Sequence, residues 1–474
     1  MTDRRTENAR TLASLLKVST AEAAPLLDVA IAVRADPVDS AAMAIARHLQ
    51  NLLSHTVADV PLNIPRASIA AEVVIGAATP TLAAAIRVHI SPDTIRISPS
   101  APSDVVWPDT HPIILLVAAC YAAGAILRTM FGDRLQVPGS AVSIGLTIPI
   151  VDIVGSDRAW LSAEFELIDT YLAGAGAIGN GFLYALSLLR ASGTLVIVDP
   201  DIVSDGNLNR CVWFTAADVK LPKAIRLSEL AQPSFPVLHL IPKTKTLQQV
   251  GMEQPTDTWL KRLIVAVDSR RTRRHLQHEI PGEVFDASTT GAVECVFHHH
   301  MQPTDHACLA CIYHETPDEL ARERHMAETL GVELSDVKEH YVSPHAAGRI
   351  HARYSHASVE ELEGQAYDTL FKALCSEGKL LSIDNRQVLA PFAFVSVLAG
   401  TYLAIELGRR IVPGQAAHDF NYWRISPWAP PFVNMRDVRR RREDCEFCGQ
   451  PLLLRTARDL WGLLRRENHF KEER

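Results

Sequence analysis

The sequence has no strong net charge and no recognisable secretory leader. Its 47 lysines and arginines against 54 aspartates and glutamates give a formal charge of −7, which provides no general attraction to nucleic acid or to anionic membranes. The opening stretch MTDRRTENARTLASLL lacks the apolar core of a secretory signal. We therefore expect a cytoplasmic protein with neither nucleic acid nor membrane as a partner.

Long apolar runs are scarce as well. The run at 112–127 is shorter than the roughly 18 apolar residues of a membrane-spanning helix. The run at 390–407 is borderline in length but carries Ser396, Thr401 and Glu406. Because both runs are rich in small residues, we predict two buried helices.

A disulfide framework is not expected. Without a signal sequence, the eight cysteines indicate reduced thiols or metal ligands. Two widely separated pairs have the C-x-x-C spacing, Cys308 with Cys311 and Cys445 with Cys448. Four such thiolates form a tetrahedral structural zinc site, so we predict a zinc ion that ties the C-terminal segment to the core. Two unrelated pairs, or a redox role for either pair, are the alternatives.

The sequence shows neither internal repeats nor low-complexity tracts, and its 474 residues suggest roughly two to four domains. Residues 1–150 are predicted to form an accessory α/β domain, with helical periodicity up to residue 65. A strand and turn are expected at 70–78, and a pair of strands at 86–100. No function for this domain can be deduced from its sequence.

From about residue 164, strands and helices alternate. This pattern predicts a Rossmann-like α/β fold with a mostly parallel sheet and helices on both faces. We place strands in DTYLAGAG, TLVIVDPD, VLHLIPKT, RLIVAVDS and EVFDAST, and helices in LPKAIRLSELAQ and in GNGFLYALSLLRAS, the latter closed by Gly193. The expected domain spans residues 151–435 with an insertion at 316–380, and residues 436–474 form a zinc-binding segment that ends in a helix.

The first strand and helix of this region flank a G-x-G-x-x-G loop made by Gly174, Gly176 and Gly179. The first glycine permits a tight turn, the second lets the backbone approach a phosphate, and the third lets helix and strand pack closely. Asp199 ends the next strand, about 20 residues later, where a carboxylate can bind ribose hydroxyls. These features predict a nucleotide site without choosing between NAD and ATP.

Three charged residues further along the chain favour a triphosphate. Arg210 and Lys223 provide two cations to neutralise phosphate charge, and Asp268, at the tip of a strand, can hold magnesium. A nicotinamide enzyme binds a diphosphate and must leave the ring free for hydride transfer, so it has no need of this set. A NAD-dependent oxidoreductase and a non-catalytic scaffold are the alternatives from other classes.

Six motifs in one order give the chain a family resemblance: GAGAIG, VDPDIVSDGNLNR, LPK, VAVDSRRTRR, CLAC and CEFCGQ. Over roughly 165–450 the chain resembles the ThiF/MoeB/HesA-type adenylyltransferases, which share their catalytic fold with ubiquitin-activating enzymes. That family binds ATP with Mg²⁺ and adenylates the C-terminal glycine carboxylate of a ubiquitin-like protein.

The resemblance assigns roles position by position. It implies that the three glycines line the ATP site and that Asp199 holds the ribose. It implies that Asn207, Arg210 and Lys223 contact the phosphates and that Asp268 binds magnesium. It also implies that zinc is held by Cys308, Cys311, Cys445 and Cys448.

Some members of the family form a thioester or a persulfide on a cysteine between the zinc pairs. Cys375 is the single cysteine there ahead of the second apolar run, and Lys372 beside it would favour a thiolate. A free, partly buried thiol is the alternative. Cys295, in a predicted core strand, is the lesser candidate, and Cys211 is expected to be structural.

Members of the family also draw a further arginine from an N-terminal helix or from a partner subunit. Arg158 is the candidate here, with a solvated surface charge as the alternative. The histidines at 298–300, on a strand end or loop, are expected to be bystanders, as are His306 and His314 beside the first cysteine pair.

Two departures from the short family members suggest a pathway. Those members lack an N-terminal domain of this length, and their insertion is shorter than 316–380. By analogy alone, both features point to a bacterial ubiquitin-like conjugation operon of the antiphage kind, with a conjugating enzyme as a partner. A homodimer is expected separately, because the fold of this family usually works as a dimer. Activation of a sulfur-carrier protein of the thiamin or molybdopterin type is the runner-up. A tRNA-modifying dehydratase of the superfamily is disfavoured because those proteins lack the zinc pairs.

Overall fold

The computed structural model describes residues 4–138, 145–254, 260–339, 341–355, 357–365, 367, 370–371, 389–414, 419–432 and 435–472. The strands within these residues form one sheet of five strands and one of eight.

The first sheet is built from residues near the N-terminus. Its strands are β1 (Ile31–Ala35), β2 (Ala71–Ile75), β3 (Ile86–Ile90), β4 (Thr94–Ser98) and β5 (Leu146–Pro149). They lie in chain order, with β1 to β3 parallel and β4 and β5 antiparallel. The accompanying helices are α1 (Arg4–Leu16), α2 (Thr20–Ala23), α3 (Ser40–Ser54) and α4 (Pro112–Phe131). The predicted strand with its turn and the predicted strand pair are confirmed.

The expectation of helical structure throughout the first 65 residues is wrong at β1. This strand has the sequence IAVRA, is almost wholly buried and pairs in parallel with β2. The strand is too short to show a clear alternation of apolar and polar residues. Its pairing with a strand distant in sequence therefore decides its conformation.

Helix α4 is the one stretch within the described ranges that is long and apolar enough to cross a membrane, by length and composition. In the fold, 83% of its most apolar window is buried. It packs against α3 and against the N-terminal sheet. The prediction of a buried helix here is confirmed.

The second sheet holds the predicted nucleotide-binding region. Its strands are β6 (Glu164–Ala173), β7 (Arg190–Val198), β8 (Leu238–Lys243), β9 (Arg262–Val265), β10 (Glu283–Thr290), β11 (Glu294–Met301), β12 (Tyr422–Ile425) and β13 (Arg436–Asp437). The order is β13-β12-β11-β10-β9-β6-β7-β8. Strands β6 to β10 are parallel, and β11 to β13 extend one side in antiparallel fashion. The predicted mostly parallel sheet is confirmed.

The helices after β5 cover this sheet or form the segments at its ends. They are α5 (Ile150–Val154), α6 (Ala177–Leu186), α7 (Lys223–Ala231), α8 (Leu247–Gly251), α9 (Arg270–His278), α10 (Leu309–Ile312), α11 (Pro317–Leu330), α12 (Leu334–Lys338), α13 (Pro344–Arg353), α14 (Val359–Leu362), α15 (Ala393–Ile411) and α16 (Pro451–Glu472).

Helix α15, the second predicted buried helix, packs directly on α6. A Cβ on Gly400 would lie 2.2 Å from the backbone nitrogen of Phe182, and one on Gly181 would lie 2.7 Å from Cα of Val397. Contacts this short leave no room for side chains between the helix axes. The two glycines therefore set the distance between the helices and hold α6 in place.

The predicted end of the helix after the glycine loop is wrong. Helix α6 ends at Leu186, and Gly193 lies inside β7 with φ of +88°. A Cβ at Gly193 would lie 2.5 Å from the carbonyl oxygen of Leu167, next to an irregularity in the pairing of β6 with β7. This glycine permits close strand approach at a bulge and does not cap a helix.

The predicted polar insertion contains α11 to α14, which enclose a small apolar core of their own that includes Met326, Leu330, Ile350 and Tyr367. Cys375 and Lys372 lie outside the described residues. The C-terminal helix α16 returns to the main body, where the indole nitrogen of Trp461 donates to the carbonyl oxygen of Ile280 at 2.9 Å.

Candidate active site and metal centre

The glycine loop leaves β6 at the carboxyl edge of the parallel strands, where open α/β sheets bind ligands. Gly174 has φ of +104°, and a Cβ there would lie 2.7 Å from the carbonyl oxygen of Ala266, just after β9. A side chain at this position would therefore clash with the neighbouring strand end. The tight turn that the sequence predicts is present.

The other two glycines differ in what surrounds them. A Cβ on Gly179 would lie 2.1 Å from the carbonyl oxygen of Gly174, so the loop and helix α6 touch there. A Cβ on Gly176, the N-cap of α6, would meet no atom of the described structure within 4 Å. The first-turn N–H groups of a helix lack partners within the helix. Open space therefore lies beside a helix N-terminus suited to phosphate.

Asn180 braces this loop, and sequence reasoning missed it. Its side-chain amide is fully buried and donates to the carbonyl oxygens of Ala175 at 2.9 Å and Gly176 at 3.0 Å. Its side-chain oxygen Oδ1 accepts the backbone N–H of Trp213 at 3.2 Å. The side chain thereby joins the loop to the segment that carries Arg210. An asparagine in the first turn after such a loop was the available signal.

Asp199 follows β7 and reaches back to the glycine loop. It is 6% exposed. One carboxylate oxygen accepts the backbone N–H of Ala175 at 2.7 Å, and the other accepts that of Asp201 at 2.8 Å. Burial raises the pKa of Asp199 to about 6, against the opposing effect of the Lys223 ammonium. The carboxylate therefore lies beside the loop, as a ribose-binding group would need.

Lys223 is the first residue of α7, and its ammonium lies 2.8 Å from Oδ2 of Asp201. Burial alone would lower its pKa, but the carboxylates of Asp199 and Asp201 outweigh burial and hold the pKa above its usual value. The lysine is therefore charged and points toward the predicted ribose-binding carboxylate. Sequence reasoning missed Asp201 as its partner, although a second carboxylate two residues after Asp199 was visible.

Asn207 and Arg210 belong to a tight turn at Asp205–Asn209. The Asn207 side chain accepts the backbone N–H of Ser204 at 3.0 Å. The Arg210 guanidinium donates to the carbonyl oxygen of Gly206 at 2.9 Å and to Oδ1 of Asn209 at 2.7 Å. Both side chains are thus held by the turn itself.

The buried thiol of Cys211 shows how closely these groups gather. Burial raises its pKa to about 11, while Arg210 and Lys223 lower it and Asp199 raises it further. All three charged groups therefore lie within electrostatic range of one sulfur atom. The thiol is fully buried, in keeping with a structural role.

Asp268 lies just beyond β9 and is exposed at the same sheet edge as Gly174. Arg273 stabilises the chain just after β9: its guanidinium donates a hydrogen bond to the carbonyl oxygen of Val267 and forms an ion pair with Asp286. The Tyr313 hydroxyl donates to the same carboxylate at 2.6 Å. Sequence reasoning missed this buried network, because its members come from three separate elements.

The four cysteines of the two C-x-x-C pairs come together between the core and the C-terminal segment. Sγ of Cys308 lies 3.7 Å from that of Cys311, 3.8 Å from that of Cys445 and 3.5 Å from that of Cys448. Four sulfurs at zinc–sulfur bond length in a tetrahedron are about 3.8 Å apart. The cluster has the size and the donor set of a structural zinc site.

Backbone N–H groups point at two of these sulfurs. The N–H of Arg442 lies 3.3 Å from Sγ of Cys311, and that of Cys448 lies 3.4 Å from Sγ of Cys445. Such donors stabilise thiolates. Among the residues that the structure describes, this is the one group of three or more metal-ligating side chains, and it includes no histidine.

The structure separates Arg158 from the candidate site. Its guanidinium lies 3.4 Å from Asp93, in the turn between β3 and β4, and Arg158 precedes the amino end of β6. The glycine loop leaves the opposite end of that strand. Arg158 of the same chain is therefore not the further arginine, because the full length of β6 lies between it and the site.

The carboxyl ends of the parallel strands in the second sheet thus gather one phosphate-suited helix end, one half-buried lysine, one arginine and three aspartates near open space. This set can bind a nucleotide and stabilise charge on phosphoryl oxygens without a covalent step on the protein. It contains nothing specific to hydride transfer.

Comparisons with known proteins agree with this geometry. The ThiF family matches residues 166–447, which is more than half of the chain. The E1 N-terminal domain matches residues 1–152.

Two curated relatives match parts of the chain. The uncharacterized protein y4jF of Sinorhizobium fredii is 26% identical over 308 residues, which are 61% of this chain and 58% of that protein. Ubiquitin-like modifier-activating enzyme 7 of Mus musculus is 31% identical over 112 residues, which are 22% of this chain and 12% of that enzyme. The chain thus spans less than two thirds of the length of either relative.

Among solved structures, the crystal structure of E. coli MccB with selenomethionine MccA aligns with a TM-score of 0.39 and 12% identity. The alignment covers 69% of this chain and 74% of that one. By the extent of the family match, the chain belongs to the ThiF family, a family of adenylyltransferases.

Proposed function

We propose that this chain is an ATP-dependent activating enzyme that adenylates the C-terminal glycine carboxylate of a ubiquitin-like protein. The observation that carries the proposal is the meeting of the glycine loop, Asp199 and Lys223 at one sheet edge. Asp199 is hydrogen-bonded to the loop, and Lys223 lies within range of the same carboxylate. This arrangement suits a ribose on one side and a phosphate chain on the other.

The reaction needs a site that stabilises charge. A carboxylate oxygen of the substrate attacks the α-phosphorus of ATP, the bond to the bridging oxygen breaks, and pyrophosphate leaves with an acyl adenylate behind. In the proposed mechanism Lys223 and Arg210 stabilise the negative charge on the phosphoryl oxygens and on the leaving group. The N–H groups at the start of α6 face the same phosphates.

Two metal ions complete the proposal. Asp268 is exposed at the sheet edge and would hold Mg²⁺, which supplies Lewis-acid stabilisation of phosphate charge. The four clustered cysteines would hold Zn²⁺ in a purely structural role, because four protein ligands leave no open coordination position.

A further arginine at the site would come from an N-terminal helix or a partner subunit, as the family resemblance implies. Helix α1 is suited to this role because Oδ1 of its Asn8 accepts a hydrogen bond from Asn209 at 3.2 Å. Burial lowers the pKa of His55, whose ring is hydrogen-bonded to the carbonyl oxygen of Leu208, and the charge of Arg4 at the start of α1 lowers that pKa further. We therefore propose Arg4 in place of Arg158.

After adenylation, the substrate would pass to Cys375 as a thioester and then to a conjugating enzyme. We also propose a cytoplasmic location, a homodimeric state and a place in a bacterial conjugation operon of the antiphage kind. These points rest on the family resemblance and on the E1 N-terminal domain match at residues 1–152. Sulfur-carrier activation shares the adenylation step and differs in the later fate of the acyl adenylate.

The decisive experiment is exchange of labelled pyrophosphate into ATP. We expect exchange only when a ubiquitin-like protein from the same gene neighbourhood is added, with no exchange when its terminal glycine is deleted. Reduction of NAD or failure of exchange with every such protein would contradict the proposal. An adduct sensitive to reducing agent, lost in Cys375→Ala while exchange persists, would identify the thioester pathway. A thiocarboxylate on the terminal glycine would instead identify sulfur transfer.

A further inference from the structure

A cavity of about 270 Å³ lies where α5 and the segment after it meet α15 and the edge strand region of β12. Its lining includes Asp152, Glu406, Arg409, Phe420, Trp423 and Arg436. The volume is near the lower end of the range for small-molecule pockets, about 300 Å³. No residue of this lining belongs to the candidate adenylation site.

The cavity lies near the amino end of β6, whereas the glycine loop lies at the carboxyl end of the same strand. A Cβ on Gly408, beside Arg409, would lie 2.9 Å from the Trp160 ring and 3.4 Å from the Phe165 ring. Phe165 is at the start of β6, and the glycine loop leaves the other end of that strand. A strand of this length spans about 30 Å, so the cavity and the nucleotide site are separate.

Arg409 contributes a buried cation with unused hydrogen-bonding capacity. The residue is 8% exposed, and its Nη2 atom has no hydrogen-bond partner among the described residues. Its contact with Glu406 is long, at 3.6 Å from Nε to Oε2. Nη2 itself has almost no accessible surface, so a ligand in the cavity would contact the other atoms of the Arg409 side chain, which lines the wall.

The same cavity has an aromatic wall. The guanidinium of Arg436 stacks 5.1 Å from the centre of the Phe420 ring and donates to the backbone oxygen of Asp152 at 3.1 Å. Phe420 packs edge-to-face on Trp423 at 5.5 Å. Phe432 and Val151, 54% and 46% exposed, line the cavity near solvent. A ligand would therefore need an apolar body as well as a charged group.

The charges around the cavity indicate how much negative charge a ligand should carry. The cations are Arg409, Arg410, Arg424 and Arg436, and the anions are Asp152, Glu294 and Glu406. Arg424 is paired with Glu294 at 3.3 Å, and Glu406 is shared between Arg409 and Arg410. Among these described groups one cation is in excess, which suits a monoanion better than a dianion.

We propose that this cavity binds a small organic acid, with a carboxylate on Arg409 and an apolar or aromatic body against Phe420 and Trp423. The carboxylate would offer acceptors to the Arg409 guanidinium, whose contact with Glu406 is long. The site is independent of the proposed adenylation activity.

The test uses the full chain and three probes: 3-phenylpropionate, its neutral analogue 3-phenylpropanol, and phenyl phosphate as a dianion. Affinities are measured by calorimetry and by saturation-transfer NMR, with excess ATP present to occupy the nucleotide site. We expect saturable binding of 3-phenylpropionate, at least about tenfold tighter than of the alcohol. We expect Arg409→Met to weaken it by about tenfold or more, and Arg66→Met, at an exposed arginine in the segment before β2, to leave it unchanged.

A second pair of variants protects the test against a folding defect in Arg409→Met. Val151→Glu and Val151→Lys place opposite charges near the cavity on an exposed side chain, so binding should weaken with Glu and persist with Lys. Absence of saturable binding, competition by ATP, equal binding to the two Val151 variants, or tighter binding of phenyl phosphate would overturn the proposal.

Discussion

The ammonium of Lys223 lies 2.8 Å from Oδ2 of Asp201, so the cation predicted to meet phosphate is held by a carboxylate two residues beyond the predicted ribose-binding Asp199. The pairing fixes the direction of a long, flexible side chain at the start of α7. A lysine held in this way loses less conformational entropy when it contacts phosphate. Asp201 therefore acts as a positioning residue for Lys223.

Removing the Lys223 side chain should lower the rate of adenylation strongly while leaving the fold intact. We expect Lys223→Ala to lower the rate of pyrophosphate exchange by about 10²–10³-fold, the usual loss when a preorganised charge at the transition state is deleted. Asp201→Asn should cost less, because it misdirects the lysine without removing it. Lys220→Ala, at an exposed lysine three residues earlier, is the control. Unchanged exchange in Lys223→Ala would remove this residue from the proposed mechanism.

The glycine loop gives a test that separates binding from folding. We expect Gly176→Ala to fold with an unfolding free energy within about 1 kcal/mol of the wild type, since its Cβ meets nothing in the described structure. ATP binding should be lost because the methyl group fills the space beside the helix end. Gly179→Ala should be destabilised by at least about 2 kcal/mol, because its Cβ would overlap the Gly174 carbonyl. Denaturant unfolding and calorimetry with ATP measure the two effects.

The ribose-binding role of Asp199 predicts a pH dependence of ATP binding. Its pKa is raised to about 6, chiefly by burial, so the carboxylate is ionised above that pH and protonated below it. We expect the dissociation constant for ATP to rise by about tenfold per pH unit below pH 6, beyond the effect of ATP's own protonation. In the Asp199→Asn variant, the pH dependence of ATP binding should reflect protonation of ATP alone. The same slope in both proteins would contradict the role.

The cysteine cluster predicts a bound metal. Purified protein should contain about one zinc ion per chain, measured by plasma mass spectrometry. Cys445→Ser should release the ion and lower the unfolding midpoint by about 5 °C or more, because the C-terminal segment loses its attachment to the core. Cys295→Ala, at a buried thiol outside the cluster, should retain zinc. A metal-free protein of undiminished stability would refute the site.

From the Arg273–Asp286 ion pair we predict a change in magnesium affinity, because the pair positions the strand end that carries Asp268. Arg273 holds the Val267 carbonyl that precedes Asp268. We expect Asp286→Asn to raise the Mg²⁺ concentration needed for half-maximal exchange by about tenfold, as for other groups that orient metal ligands. Combining it with Asp268→Asn should add little, because both act on one ion. Asp305→Asn, at an exposed aspartate, is the control, and a change in maximal rate alone would argue against positioning.

Sequence patterns predicted the second sheet and most of its strands well because most of the parallel strands contain a short, buried apolar run. They failed where pairing between distant segments decides the conformation. Strand β1 is stabilised by β2, and Gly193 serves the approach of β7 to β6 at a bulge. Neither contact leaves a local period in the sequence.

For the candidate site, the spacing of glycines and charged residues identified the groups gathered at the sheet edge. It missed Asn180, Asp201 and the Arg273–Asp286–Tyr313 network. Those residues act on the backbone or on another side chain, so their importance depends on which atoms lie opposite them in space. The contact of Arg158 with Asp93, far along the chain, likewise depends on the tertiary structure.

The sequence by itself determined the chemistry: a phosphate-suited glycine loop, a carboxylate after the second strand, two cations and two pairs of thiols. These depend on residue type and short spacing, which local backbone geometry converts directly into structure. Only the tertiary structure decided that the two thiol pairs meet, that Lys223 is held by Asp201, and that Arg409 lines a separate cavity. Those relationships join residues far apart in the chain, and only the packing of the whole fold sets the distances between them.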